Sequence, residues 1–105
     1  MGVIYLRTNL VNGMQYVGQS SNFKNRESNW KNKNQPYANQ FLTKARNKYG
    51  LDNFKTEILI ECQTEDELNN WEKYYIKSYN TLFPNGYNFQ DGGKTNYNCS
   101  EKNKS

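Results

Sequence analysis

Short alternating runs of apolar and polar residues open the chain, and a longer period replaces them from about residue 22. Residues 3 to 7 (VIYLR) and 14 to 18 (MQYVG) are rich in β-branched and aromatic side chains, with Asn12-Gly13 in the polar stretch between them. This predicts a β-hairpin, because Asn-Gly supplies the positive φ that a tight hairpin turn needs. Beyond it, Phe23, Glu27 and Trp30 fall at i, i+4 and i+7, so a helix is expected from Asn22, capped by Ser20 or Ser21 and closed before Pro36. A second helix fits Ala38 to Tyr49, with Phe41, Leu42, Ala45 and Tyr49 on one side and Gly50 as its stop.

Phe54 to Cys62 alternates and then becomes continuously apolar at Ile58-Leu59-Ile60, which reads as a third strand, largely buried. Thr64 with Glu67 makes a capping box ahead of a third helix, whose stripe is Leu68, Trp71, Tyr75, Ile76 and Tyr79. A short extended segment, Tyr87 to Gln90, follows Pro84-Asn85-Gly86, and no periodicity survives beyond Asp91-Gly92-Gly93. The order strand, strand, helix, helix, strand, helix defines an α+β fold, a small three-stranded antiparallel sheet flanked by helices. A length of 105 residues suits one domain, assigned to residues 1–93, with 94–105 as a polar tail or the start of a linker or DNA-binding segment.

Composition changes this picture in one respect. Only 34% of the residues are hydrophobic, so the nine Tyr, five Phe and two Trp must fill much of the core. Buried phenols need hydrogen-bond partners, which brings polar groups close to apolar packing, as binding sites require. The net charge of +4 favours a polyanionic partner, with a merely solvated lysine surface as the alternative. Histidine is absent and Cys62 and Cys99 stand apart, which excludes a Cys/His zinc site and leaves two reduced bystander thiols. Neither a run of about 20 apolar residues nor a secretory leader is present, so an intracellular, cytoplasmic protein without a membrane partner is expected.

Two residues break the periodicity. Glu72 lies inside the apolar stripe of the third helix, where an unpaired carboxylate costs several kcal/mol unless it is paired, protonated or bound to a metal. The alternative is a helix-edge glutamate that bends to solvent or pairs with a lysine. Arg26 lies beside the apolar side of the first helix, and its alternative is a stem laid across aromatic rings. Together, a carboxylate and a guanidinium are the parts needed to hold a metal and a phosphate. The hairpin adds two phenols. Closing the loop at Asn12-Gly13 pairs Val11 with Met14, pairing Thr8 with Gly13 sets Tyr5 directly opposite Tyr16, and either register puts both tyrosines on one face. Two such tyrosines also fit an ordinary core.

Gly2-Val3-Ile4-Tyr5 and Tyr16-Val17-Gly18 resemble the two motifs of the GIY-YIG nuclease family, with one extra Val and Val in place of Ile. Arg26, Lys48-Tyr49-Gly50 with Phe54, the Glu72-Lys73-Tyr74-Tyr75-Ile76 helix and Gly86-Tyr87-Asn88 recur in the family's order, so the resemblance covers residues 2 to 93. It is greatest to the N-terminal catalytic domains of intron-encoded, phage-type homing endonucleases, which implies a phage- or virus-encoded chain acting in a host cell.

The resemblance implies a DNA endonuclease that hydrolyses phosphodiester bonds with one Mg2+ or Mn2+ ion, leaving a 5′-phosphate and a 3′-hydroxyl. It casts Glu72 as the metal ligand, Arg26 as the contact to the scissile phosphate and Tyr5 and Tyr16 as active-site phenols, with Asn88 and Gly18 in support. Lys24, Lys31, Lys44 and Lys48 are the expected DNA contacts, and an additional DNA-binding domain outside this chain is expected. The sheet face carrying the tyrosines is expected to meet the helices carrying both Arg26 and Glu72. One departure stands out. Where family members often carry histidines, this chain has Trp30 and Tyr37, so proton transfer falls to a tyrosine, a lysine or water at the metal. The alternative function is a nucleic-acid-binding module of the same fold whose catalytic site has weakened or been lost.

Overall fold

In the computed structural model, which describes residues 2–32 and 40–89, the chain runs β1 (Gly2–Asn9), β2 (Gln15–Ser20), α1 (Phe23–Lys31), α2 (Gln40–Tyr49), a 3-10 turn (Leu51–Asn53), β3 (Phe54–Cys62) and α3 (Glu65–Tyr79). The three strands form an antiparallel sheet in the order β2-β1-β3. This is the α+β architecture that the sequence pattern implies. The hairpin register falls between the two expected ones, with Tyr5 opposite Gly18 and Arg7 opposite Tyr16. Asn9 N–H donates to Met14 O at 2.9 Å, and Gly13 takes the positive φ (78°) within the loop. Tyr5 and Tyr16 therefore share a face as diagonal neighbours.

Because β1 is the central strand, both of its faces are covered, and Ile4, Tyr5, Leu6 and Arg7 are buried in succession. On one face Ile4, Leu6, Val17 and Cys62 pack against Leu68 and Ile76 of α3. On the other, α1 and α2 bring Trp30, Leu42 and Ala45 against Tyr87, with Tyr16, Phe41 and Phe54 at the margin. A free sheet edge explains why β3 is less buried than its apolar run implies: only Cys62 is buried and Ile58 is half exposed. A register irregularity between Ile4 and Tyr5 on the β1–β3 ladder further displaces this edge.

Helix ends follow local chemistry. The α1 cap is Asn22, whose side chain accepts from Asn25 N–H at 3.1 Å, while Ser20 Oγ accepts from Asn22 N–H one step earlier. Ser20, one of the two serines expected as caps, thus acts on the approach to the helix. Thr64 caps α3 by accepting from Glu67 N–H, and Glu67 in return accepts from Gln63 N–H at 2.7 Å. The buried stripe of α3 is narrower than expected, because Trp71 and Tyr79 are exposed and stack along the outer flank with Tyr74 and Tyr75. Gly50, at φ 88°, ends α2 as expected.

Candidate active site

Tyr5, Tyr16, Gly18, Asn88 and Glu72, among the expected site residues, meet at strand β2. Tyr16 belongs to it, and Tyr5 lies across it at Gly18. A Cβ on Gly18 would stand 2.5 Å from the Tyr5 Cζ and Oη and 2.8 Å from Tyr16 Cε2, so this position must be glycine for the two rings to lie where they do. The Tyr5 and Tyr16 ring centroids are 6.2 Å apart, and Phe23 of α1 closes the other side of Tyr5 at 5.4 Å. Tyr5 is fully buried and Tyr16 half-buried, so Tyr16 is the phenol that reaches solvent and Tyr5 backs it.

Glu72 approaches the same strand from the opposite side. Gln19 Nε2 donates to Glu72 Oε1 at 2.9 Å and to Asn69 Oδ1 at 2.9 Å. Strand alternation puts Gln19 with Val17 on the α3 face. The expectation that one face meets both helices is corrected here: α1, with Arg26, covers the tyrosine face, and α3, with Glu72, covers the other. α3 reaches β2 through Glu72 and Asn69 against Gln19, whereas α1 meets the tyrosine face through Phe23 against Tyr5 and Glu27 against Arg7. Glu72 is half-buried between Leu68 and Ile76 in one row of α3, and Arg26 is half-buried on α1.

Asn88 holds β2 from outside the sheet. Its Oδ1 accepts from Val17 N–H at 2.9 Å and Thr81 Oγ1 at 2.7 Å, and its Nδ2 donates to Val17 O at 2.9 Å. The amide thus acts on the strand backbone. Trp30 is a core residue, packed edge-on against Phe54 and facing the guanidinium groups of Arg7 at 4.4 Å and Arg46 at 5.8 Å. Lys24, Lys31, Lys44 and Lys48 are all exposed on the two helices that cover the tyrosine face, and Lys44 and Lys48 flank an open depression of about 270 Å³ floored by Phe41, Tyr49 and Tyr87. Tyr37 lies outside the described residues.

Sequence reasoning missed Arg7 and Arg46, both fully buried. The signal was available, because Arg7 follows Tyr5 at strand spacing and Arg46 follows Leu42 by one helical turn. Arginine's usual preference for the surface hid it.

A three-stranded antiparallel sheet covered by helices, with two tyrosines and a half-buried glutamate meeting at its edge strand β2, is the fold of a small nuclease domain. The chain belongs to the GIY-YIG family: the GIY-YIG catalytic domain matches residues 1–88. Among curated relatives it is 32% identical to the putative endonuclease segE of Enterobacteria phage T4 over 92 residues, 86% of this chain and 41% of that protein. It is 28% identical to the putative endonuclease segD of the same phage, over 90% of this chain and 40% of that protein. The chain therefore spans about two fifths of the length of these relatives.

Two solved structures of the catalytic domain of intron endonuclease I-TevI superpose on it. One, a point mutant, gives a TM-score of 0.75 at 29% identity, covering 89% of this chain and 98% of that one. The other, the catalytic domain of homing endonuclease I-TevI, gives 0.71 at 29% identity, covering 86% and 99%. GIY-YIG nucleases depend as a family on divalent metal and act on DNA. Among the described residues, no helix is long and apolar enough to cross a membrane.

Proposed function

We propose that this domain cleaves DNA phosphodiester bonds as the catalytic part of a phage-type homing endonuclease, using Mg2+ or Mn2+ held by Glu72. The observation that carries this reading is the convergence on β2, where Gln19 fixes the Glu72 carboxylate and Gly18 admits Tyr5 beside Tyr16. The donor set fits one hard cation. Glu72 and Asn69 offer oxygen, and among the described residues no group of three His, Cys, Asp or Glu side chains is placed to hold a metal. A single carboxylate, with water and substrate oxygens completing the shell, is how Mg2+ commonly binds. When bound, the ion supplies positive charge at the leaving oxygen.

Arg26 binds a non-bridging oxygen of the scissile phosphate, and the exposed lysines of α1 and α2 hold the flanking backbone. Tyr16, the solvent-reaching phenol, takes the proton of the attacking water, with Tyr5 fixing its position. Target choice rests with a further DNA-binding segment, for which residues 94–105 are the lead, and residues 1–93 form the catalytic unit.

Plasmid nicking tests the reading. Cleavage is expected with Mg2+ or Mn2+ and not with chelator, and Glu72→Gln is expected to lose more than about a hundredfold in rate, near 2.7 kcal/mol of barrier, while folding and binding DNA. DNA binding indifferent to metal, without cleavage, would support the binding-module alternative. A Glu72→Gln rate within about tenfold of the parent would remove Glu72 as the ligand.

A further inference from the structure

Arg7 is a fully buried cation in a small domain, and its partners include Tyr5 of the candidate site and Glu27 and Trp30 of the helix that carries Arg26. Its Nη1 lies 2.7 Å from Glu27 Oε1 on α1 and donates to Thr56 Oγ1 on β3 at 2.7 Å. Its Cζ stands 4.7 Å from the Tyr5 ring centroid and 4.4 Å from that of Trp30. The guanidinium is thus set between the buried phenol and the tryptophan, directly across the ladder from Tyr16. Trp30 is the only fully buried side chain of α1 among the described residues, so the Arg7–Glu27 pair is a main fastening between that helix and the sheet. Glu27 is the immediate neighbour of Arg26.

We infer that Arg7 is a positioning residue for phosphodiester cleavage: it fixes the Tyr5 ring and the pitch of α1, and therefore of Arg26, and places a permanent positive charge against the phenol pair. A guanidinium suits this because it stays charged when buried, stacks on aromatic faces and still donates in its own plane. The charge matters beyond packing, since a cation facing a phenol ring favours its electron-rich form. This inference rests on the nuclease reading above.

A charge-neutral exchange of the pair separates positioning from stability. Arg7→Met alone leaves Glu27 facing the core without its cation, so a fall in melting temperature is expected. Arg7→Met with Glu27→Gln removes both charges at nearly constant volume and is expected to restore the melting temperature and the parent's affinity for DNA. Single-turnover cleavage by the double variant is expected to stay at least tenfold below the parent. Arg7→Lys, which keeps the charge and loses the plane, is expected to fall between. A parent that cleaves and a folded double variant that cleaves within twofold of it would overturn the assignment of Arg7 while leaving the nuclease reading intact. A parent without metal-dependent cleavage would overturn both. If the double variant fails to refold, Glu27→Gln alone decides: it releases α1 from Arg7, so a loss of at least threefold in cleavage is expected, and cleavage equal to the parent's would overturn the assignment.

Discussion

The two faces of the sheet are built from different chemistry. Against α3 lie Ile4, Leu6, Val17 and Cys62, a largely aliphatic layer with no fully buried charge among the described residues. Against α1 and α2 lie Tyr5, Arg7, Trp30, Arg46 and Tyr87, an aromatic layer threaded by two buried guanidinium groups and joined to side-chain amides such as that of Asn9, which donates to Tyr87 Oη at 3.0 Å. The aliphatic layer stabilises through removal of apolar area from water, about 25 cal/mol per Å², and tolerates small shifts. The aromatic layer depends on geometry, because each ring and cation is useful only when correctly aimed. Aliphatic packing and ring geometry are thus divided between faces, with Glu72 the one proposed site residue on the aliphatic side and β2 the strand common to both.

The largest expected effect falls on the aliphatic side. Leu6→Ala is expected to lower unfolding free energy by about 2–5 kcal/mol in a denaturant titration, with cleavage per folded molecule unchanged. An equal loss of activity per folded molecule would show that the faces are not separable. Gly18→Ala inverts the pattern: its Cβ would occupy the place of the Tyr5 hydroxyl end, so the rate is expected to fall about a hundredfold, some 2.7 kcal/mol, with a smaller loss of stability. Normal kinetics in that variant would detach both tyrosines from the reaction.

Arg26→Lys is expected to reduce cleavage about tenfold with little change in melting temperature, since a point charge cannot reproduce a two-pronged phosphate contact. Preserved activity with a clear fall in melting temperature would make Arg26 a packing residue. The smallest effect concerns Cys62 and Tyr75. Burial, reinforced by Glu67, pushes the Cys62 thiol up, and burial beside Tyr74 and Tyr79 pushes the Tyr75 phenol up. Both are neutral when folded, so their contribution is complete below the unfolded values and is lost as pH rises past about 8.5 for the thiol and about 10 for the phenol. A gentle decline in melting temperature over that range, flattened at its lower end by Cys62→Ala, is the expected record.

Local rules made much of the fold readable. The Asn-Gly hairpin, the Thr64 capping box and the Gly50 stop each depend on neighbouring residues alone, and each is where the pattern put it. What escaped reading depends on distant partners. Ile58-Leu59-Ile60 is apolar enough for a buried strand, and nothing within it announces that β3 is an edge. Glu72 was legible as an anomaly in a stripe, whereas its placement on the face opposite the tyrosines follows from α3 packing against Val17 and Gln19 of β2, a long-range contact that no local pattern announces. Arg7 and Arg46 were passed over because Trp30, a ring that helps make both burials tolerable, comes from another element.

The clasp on β2 has a consequence for solubility. Tyr87 N–H donates to Gln15 O at 2.9 Å, and Asn88 satisfies both backbone groups of Val17, so the outward hydrogen-bonding groups along the first half of this six-residue edge strand are engaged. Gly86 lets this segment come so near, since a Cβ there would stand 2.7 Å from Gln15 O. An edge closed in this way offers no template to a neighbouring chain. A fragment ending before Tyr87 would retain every strand and helix yet bare that edge beside Val17, and intermolecular β-sheet growth, rather than unfolding, would be its route to precipitation.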